Sequence, residues 1–67
     1  MKSFFDNELV QRFGYGMAVY IAAKASRMQR SIDSINMERR ATGHHLLENT
    51  TIDEVISVLR QRGKLPV

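Results

Sequence analysis

The sequence predicts an all-α fold, a small three-helix domain with a central alanine-rich helix, and three observations carry that prediction. Apolar residues at Met17, Ile21, Ala25, Met28, Ile32 and Ile35 alternate steps of four and three, which keeps them on one face of a helix. A second set, Ile52, Val55, Ile56 and Leu59, has the same helical spacing and follows a helix-start signal. No stretch alternates apolar and polar residues at period two for long enough to build a sheet.

The first helix is expected from about Phe4 to Phe13. Phe5, Leu9 and Phe13 recur at four-residue steps, and Ser3 and Asp6 both have side chains suited to an N-cap. Gly14 and Gly16 then flank Tyr15, where they either end this helix at a C-cap or allow a close turn into the next. With no strand before it, this Gly-Tyr-Gly is far short of a phosphate-cradling loop.

The central helix is expected over Met17 to Ile32, about 24 Å at 1.5 Å per residue. An isolated helix of that length is marginal in water, so its order has to come from packing. Ala18, Ala22, Ala23 and Ser26 form a flank small enough for another backbone to approach, while Lys24, Arg27 and Arg30 make the opposite side basic. Asp33, Ser34 and Asn36 lower helix propensity together, so the helix should fade between Ile32 and Arg40. A continuation to a C′ glycine at Gly43 is the other option. Interruption is favoured, because another turn would place Arg39 on the packed stripe.

His44 and His45 point in different directions as neighbours, and neither a cysteine nor a HExxH spacing accompanies them, so no metal site is expected. They read as loop residues leading to Leu46 and Leu47, which are expected to cover one end of the core. Thr51 and Glu54 form a capping box: the threonine oxygen accepts from the amide of Glu54, and the glutamate returns to the amide of Thr51. The third helix starts there. Arg60 and Arg62 suit its last turn, and Gly63 with Pro66 marks its stop.

The chain is read as one domain, residues 1–67, with no repeat, low-complexity tract or linker. A chain of this size buries only about 60 per cent of the surface its unfolded form exposes. It has no cysteine, so no disulfide or thiolate metal site adds stability. Either the packing is unusually good or a partner completes it. The net charge of +3 and a pI near 9.8 suit an acidic or nucleic-acid partner without requiring one. Asp6 and Glu8 interrupt any signal-peptide core, and the weakly polar run from Phe13 to Ala23 is far short of the roughly 20 residues a membrane span needs. A cytoplasmic protein with no membrane association is expected. The carboxylates are scattered and no serine sits in a nucleophile elbow, so neither catalysis nor a cofactor is expected.

The run Val19-Tyr20-Ile21-Ala22-Ala23-Lys24-Ala25-Ser26-Arg27-Met28 resembles the signature helix of the omega subunit of bacterial RNA polymerase, in which a hydrophobic run leads into Ala-Ala-Arg/Lys-Arg-Ala-Arg. Ala22, Ala23, Lys24 and Arg27 match, whereas Ala25 and Ser26 stand where the family usually has Arg and Ala. Thr50-Thr51-Ile52 through Gly63-Lys64-Leu65 is similar to the second omega motif, although Val55 to Leu59 do not reproduce the family's usual Ala-Leu-x-Glu-Ile. Order and spacing agree over roughly two-thirds of the chain.

The resemblance implies a non-catalytic subunit of a DNA-dependent RNA polymerase that binds the largest, β′-type subunit and assists its folding and assembly. Nucleic acid would then be met only indirectly, through the polymerase. Partner-binding positions expected on this basis, together with the small flank and the basic face, are Ala22, Ala23, Lys24, Arg27, Arg30 and Thr51. The guanosine-tetraphosphate site of some family members has no counterpart in this N-terminal segment. A divergent homologue encoded by a phage or plasmid fits the departures equally well.

The alternative is a small basic helical DNA-binding or transcription-regulatory protein, including a phage modulator of a host enzyme. It would present Arg27, Arg30, Arg39, Arg40, Arg60 and Arg62 to phosphates. Against it, Arg60 and Gln61 stand almost alone as base-reading candidates, and they lie at the C-terminal end of the third helix.

Overall fold

A computed structural model describes residues 4–65 as three helices, α1 (Asn7–Phe13), α2 (Tyr15–Ala41) and α3 (Ile52–Gln61), with no strand among the described residues. The fold is a small all-α domain in which α1 and α3 both pack on α2. At 1.5 Å per residue the 27 residues of α2 span about 40 Å, and α2 therefore sets the longest dimension of the molecule, 42 Å. The radius of gyration is 13.7 Å, against about 11 Å for a compact chain of this length. The far half of α2 projects beyond the packed core.

Helix α1 begins three residues later than expected. Asp6 sits in extended backbone, and its Oδ1 accepts from the Leu9 amide at 3.0 Å, so the cap fixes the start at Asn7. The other candidate cap, Ser3, lies outside the described residues, as does Pro66. Leu9 is buried and Phe13 packs half-buried against the core, while Phe5, ahead of the cap, is exposed.

Gly14 alone joins α1 to α2. Its amide donates to the Val10 carbonyl at 2.8 Å and closes α1, and its carbonyl accepts from the Ala18 amide at 2.9 Å and opens α2. The sequence offered two roles for this glycine, and the residue fills both. Gly16 lies within the first turn of α2.

The expected interruption of α2 does not occur, and the helix runs unbroken to Ala41. The physical reason lies in the segment that follows, which doubles back along the helix. Gln29 accepts from the Thr50 amide at 2.9 Å and donates to Asn49 Oδ1 at 3.1 Å. Asn36 pairs with both backbone groups of Leu47, accepting at 2.7 Å and donating at 3.0 Å, and Arg39 donates to the His45 carbonyl at 2.9 Å. Residues 29, 36 and 39 share one face at helical spacing. An asparagine whose amide is engaged across the turn no longer competes with its own backbone, which removes the cause of its low propensity. Arg39 accordingly serves the returning segment and does not have to enter an apolar stripe. Thr42 ends the helix, with Gly43 at φ +74 beyond it: the His44 amide donates to the Arg39 carbonyl at 2.8 Å and the Gly43 amide to that of Arg40 at 3.3 Å.

Asn36→Ala is expected to free the middle of the returning segment around Leu47, with Gln29 and Arg39 still holding its ends and the three helices formed. Each lost bond is worth about 1 kcal/mol. Amide hydrogen exchange at Leu47 should quicken in the variant, and unchanged protection there would show that the asparagine is not what holds the segment.

The core gathers Leu9, Ala18, Ile21, Ala25, Val55, Ile56, Leu59 and Leu65. Ala18, placed on the flank by spacing, is fully buried, because α1 covers a side of α2 that a one-stripe pattern leaves open. Met17, Met28 and Ile52 pack against the cluster, but Ile35 is 44% exposed beyond its edge. Leu46 and Leu47 do not close the core; they lie exposed in the returning segment, at 43% and 38%.

Helix α3 is as expected at its N-terminus in one half of its cap. Thr51 Oγ1 accepts from the Glu54 amide at 3.2 Å. The return bond differs, since the Glu54 carboxylate accepts from the Thr50 hydroxyl at 3.5 Å and not from the Thr51 amide. At the other end Gly63, φ +68, continues the stop: the Lys64 amide donates to the Leu59 carbonyl at 2.8 Å, and the next residue, Leu65, folds back into the core.

Candidate partner-binding surface

Once α1 and α3 are in place, part of α2 remains uncovered. Tyr15, Val19, Ala22, Ala23 and Ser26 fall at steps of i, i+4, i+7, i+8 and i+11, which puts them on one face. With Phe4 and Phe5 ahead of α1 they line a shallow groove of about 370 Å³. Its aromatic end is organised: the Phe5 and Tyr15 rings meet edge to face, centroids 5.7 Å apart at 71°. Its surface is apolar and open, with Tyr15 69% and Val19 44% exposed. The alanines at its middle leave only a methyl group above the backbone, so a second chain can approach α2 closely there.

Beyond Ser26 the groove continues into a second, more polar depression of about 330 Å³ shared by Phe4, Ser26, Arg30, Asp33 and Asn49. Ala22, Ala23 and Arg30, three of the expected partner-binding residues, therefore follow one another along a single side of α2, which corrects the expectation that Arg30 lies with Lys24 and Arg27 opposite the alanines: Arg30 stands two turns beyond Ala23 and so on the same face.

The fold separates the others from them. Lys24 and Arg27 face a cleft between α2 and α3. Thr51 lies elsewhere again, beside Asp6, Glu8 and Arg12 where α1 approaches the start of α3, and its hydroxyl is used by the α3 cap. The six residues thus make no single site. Tyr15 and Val19 were missed by sequence reasoning. The signal was present, because both continue the helical spacing of Ala22, Ala23 and Ser26 backwards, but the two glycines around Tyr15 assigned it to a turn.

No family model, no curated protein and no solved structure matches this chain. The chemistry of the surface therefore rests on its own geometry. Among the described residues, no group of three or more His, Cys, Asp or Glu side chains is placed to hold a metal ion. His44 Nδ1 lies 2.7 Å from Thr42 Oγ1, just past the end of α2. No helix among the described residues is long and apolar enough to cross a membrane. The groove offers ring faces and methyl groups, with the Ser26 hydroxyl at its far end.

Proposed function

We propose that this chain is a non-catalytic, cytoplasmic subunit that docks on a larger protein through the Tyr15-to-Ser26 face of α2. By the resemblance of its two motifs, that protein is the β′-type largest subunit of a DNA-dependent RNA polymerase, whose folding and assembly it assists. The observation that carries the reading is the uncovered groove. An apolar face with aromatic residues at one end and alanines in the middle is what a helix presents to a partner segment laid against it. Ala22 and Ala23, shared with the omega signature, sit within this groove, while Lys24 and Arg27 flank it on the side towards α3.

The test is co-elution in size-exclusion chromatography with an RNA polymerase core lacking its own omega subunit. The wild-type chain is expected to travel with the core at one copy each. Ala23→Glu changes an exposed position to a residue of good helix propensity, so the fold should persist. It places a charge and several atoms where the partner backbone has to approach, and should weaken association by about 2 kcal/mol or more, thirtyfold in affinity. A variant that co-elutes as well as the wild type would remove the groove from the interface. A wild-type chain that elutes alone would remove the polymerase as its partner.

A further inference from the structure

The second surface on α2 is of different chemistry. Where α3 packs against α2, a cleft of about 190 Å³ has Lys24, Arg27 and Met28 on one wall and Val58, Leu59 and Arg62 on the other. Two of the cations come from the middle of the chain and the third from just past the end of α3, so only the tertiary structure brings them together. Among the described residues no carboxylate lines the cleft, and none pairs with these three side chains. Lys24 is positioned from behind, its Nζ lying over the Tyr20 ring 5.6 Å from the centroid. Between the cations the floor is aliphatic: Leu59 is buried, and Met28 and Val58 are half-buried.

We infer that this cleft seats an acidic segment of a partner protein, with Asp or Glu carboxylates against Lys24, Arg27 and Arg62 and an aliphatic side chain against Met28 and Val58. The inference rests on the reading of this chain as a protein-docking subunit and adds the chemistry of what is docked. Three unpaired cations around one small opening attract negative charge, and the forked guanidinium of arginine matches a carboxylate with two parallel hydrogen bonds. The aliphatic floor decides between anionic partners. Nucleic acid is held on extended phosphate tracks and on ring faces that stack bases. This cleft is short, and the one ring beside it, Tyr20, is covered by Lys24.

Fluorescence anisotropy at physiological salt tests the inference. The probes are a short fluorescein-labelled peptide of Glu, Asp and Leu, the same peptide with Gln and Asn for Glu and Asp, and a labelled duplex DNA. The acidic peptide is expected to bind the wild-type chain, and its amide counterpart is not. Arg27→Glu combined with Arg62→Glu should weaken the acidic peptide about tenfold or more, since each reversal exchanges an attraction for a repulsion. Both positions are exposed, and far-UV circular dichroism identifies a folded variant. Equal binding of the two peptides, or an unchanged affinity in the folded double variant, would overturn the inference. So would tighter binding of DNA with an affinity that falls steeply with salt, which would make the cleft a phosphate contact. The peptide measurement needs no polymerase. A chain that binds the peptide but never co-elutes with polymerase would therefore refute the polymerase reading and leave the cleft standing.

Discussion

Replacing Ile21 by aspartate is expected to abolish the folded state. Ile21 has no exposed surface and lies in the cluster that joins Leu9 of α1 to Val55 and Ile56 of α3. Burying its side chain contributes about 1.5–3 kcal/mol, which the substitution forfeits. The carboxylate that replaces it would have no partner there, at a further cost of several kcal/mol unless it takes up a proton. A chain of this length has a total stability of about 3–10 kcal/mol. The loss therefore equals or exceeds what holds the protein together. Circular dichroism should show little helix at 25 °C and no cooperative urea transition. Ile35→Asp is the matching control, because sequence spacing puts both residues on one stripe and the structure leaves Ile35 44% exposed. Its stability should stay within about 0.5 kcal/mol of the wild type. If the two variants unfolded alike, the packed core would have to extend along the whole of α2.

The second large effect is expected at Gly14, where Gly14→Val should cost about 1–3 kcal/mol. The residue has φ +84 and ψ +162, a backbone region that only glycine enters without strain. Space is not the constraint, since a Cβ at this position would meet nothing within 4 Å. The constraint is the backbone itself, because the one residue must reverse the chain between two helices and keep a hydrogen bond to each. Gly16 supplies the contrast. It too has open space around it, but it lies within α2, so Gly16→Ala should stabilise the chain by about 0.5–1 kcal/mol. Urea denaturation of both variants checks the pair. A Gly14→Val protein as stable as the wild type would mean that α1 can leave its place on α2 at no cost, and that Leu9 contributes little to the core.

The uncovered groove on α2 was only partly legible before the fold was known. Ala22, Ala23 and Arg30 could be named from their pattern, but Arg30, assigned to the basic side opposite the alanines, shares their side of α2. Tyr15, Val19 and Phe5 could not, because whether an apolar residue stays exposed depends on which faces α1 and α3 leave uncovered. Thr51 has a local task that its capping-box pattern already stated, and its hydroxyl is committed to it.

Local chemistry along the chain settles some features without any distant contact. Helical spacing fixed the three helices and the all-α class, Thr51 fixed the start of α3 and Gly63, at positive φ, marked its stop, while Asp6 and Gly43 each stood only as one of two options. These choices are made among residues a few positions apart, so the order of the letters is sufficient. The tertiary structure decided what depends on distant neighbours. It kept α2 helical through Asp33, Ser34 and Asn36, because Gln29, Asn36 and Arg39 found partners in the returning segment. It also buried Ala18, exposed Ile35 and Leu47, and set Arg62 beside Lys24 and Arg27. Propensity and spacing describe one helix in isolation; burial and charge placement belong to the surfaces that two helices share.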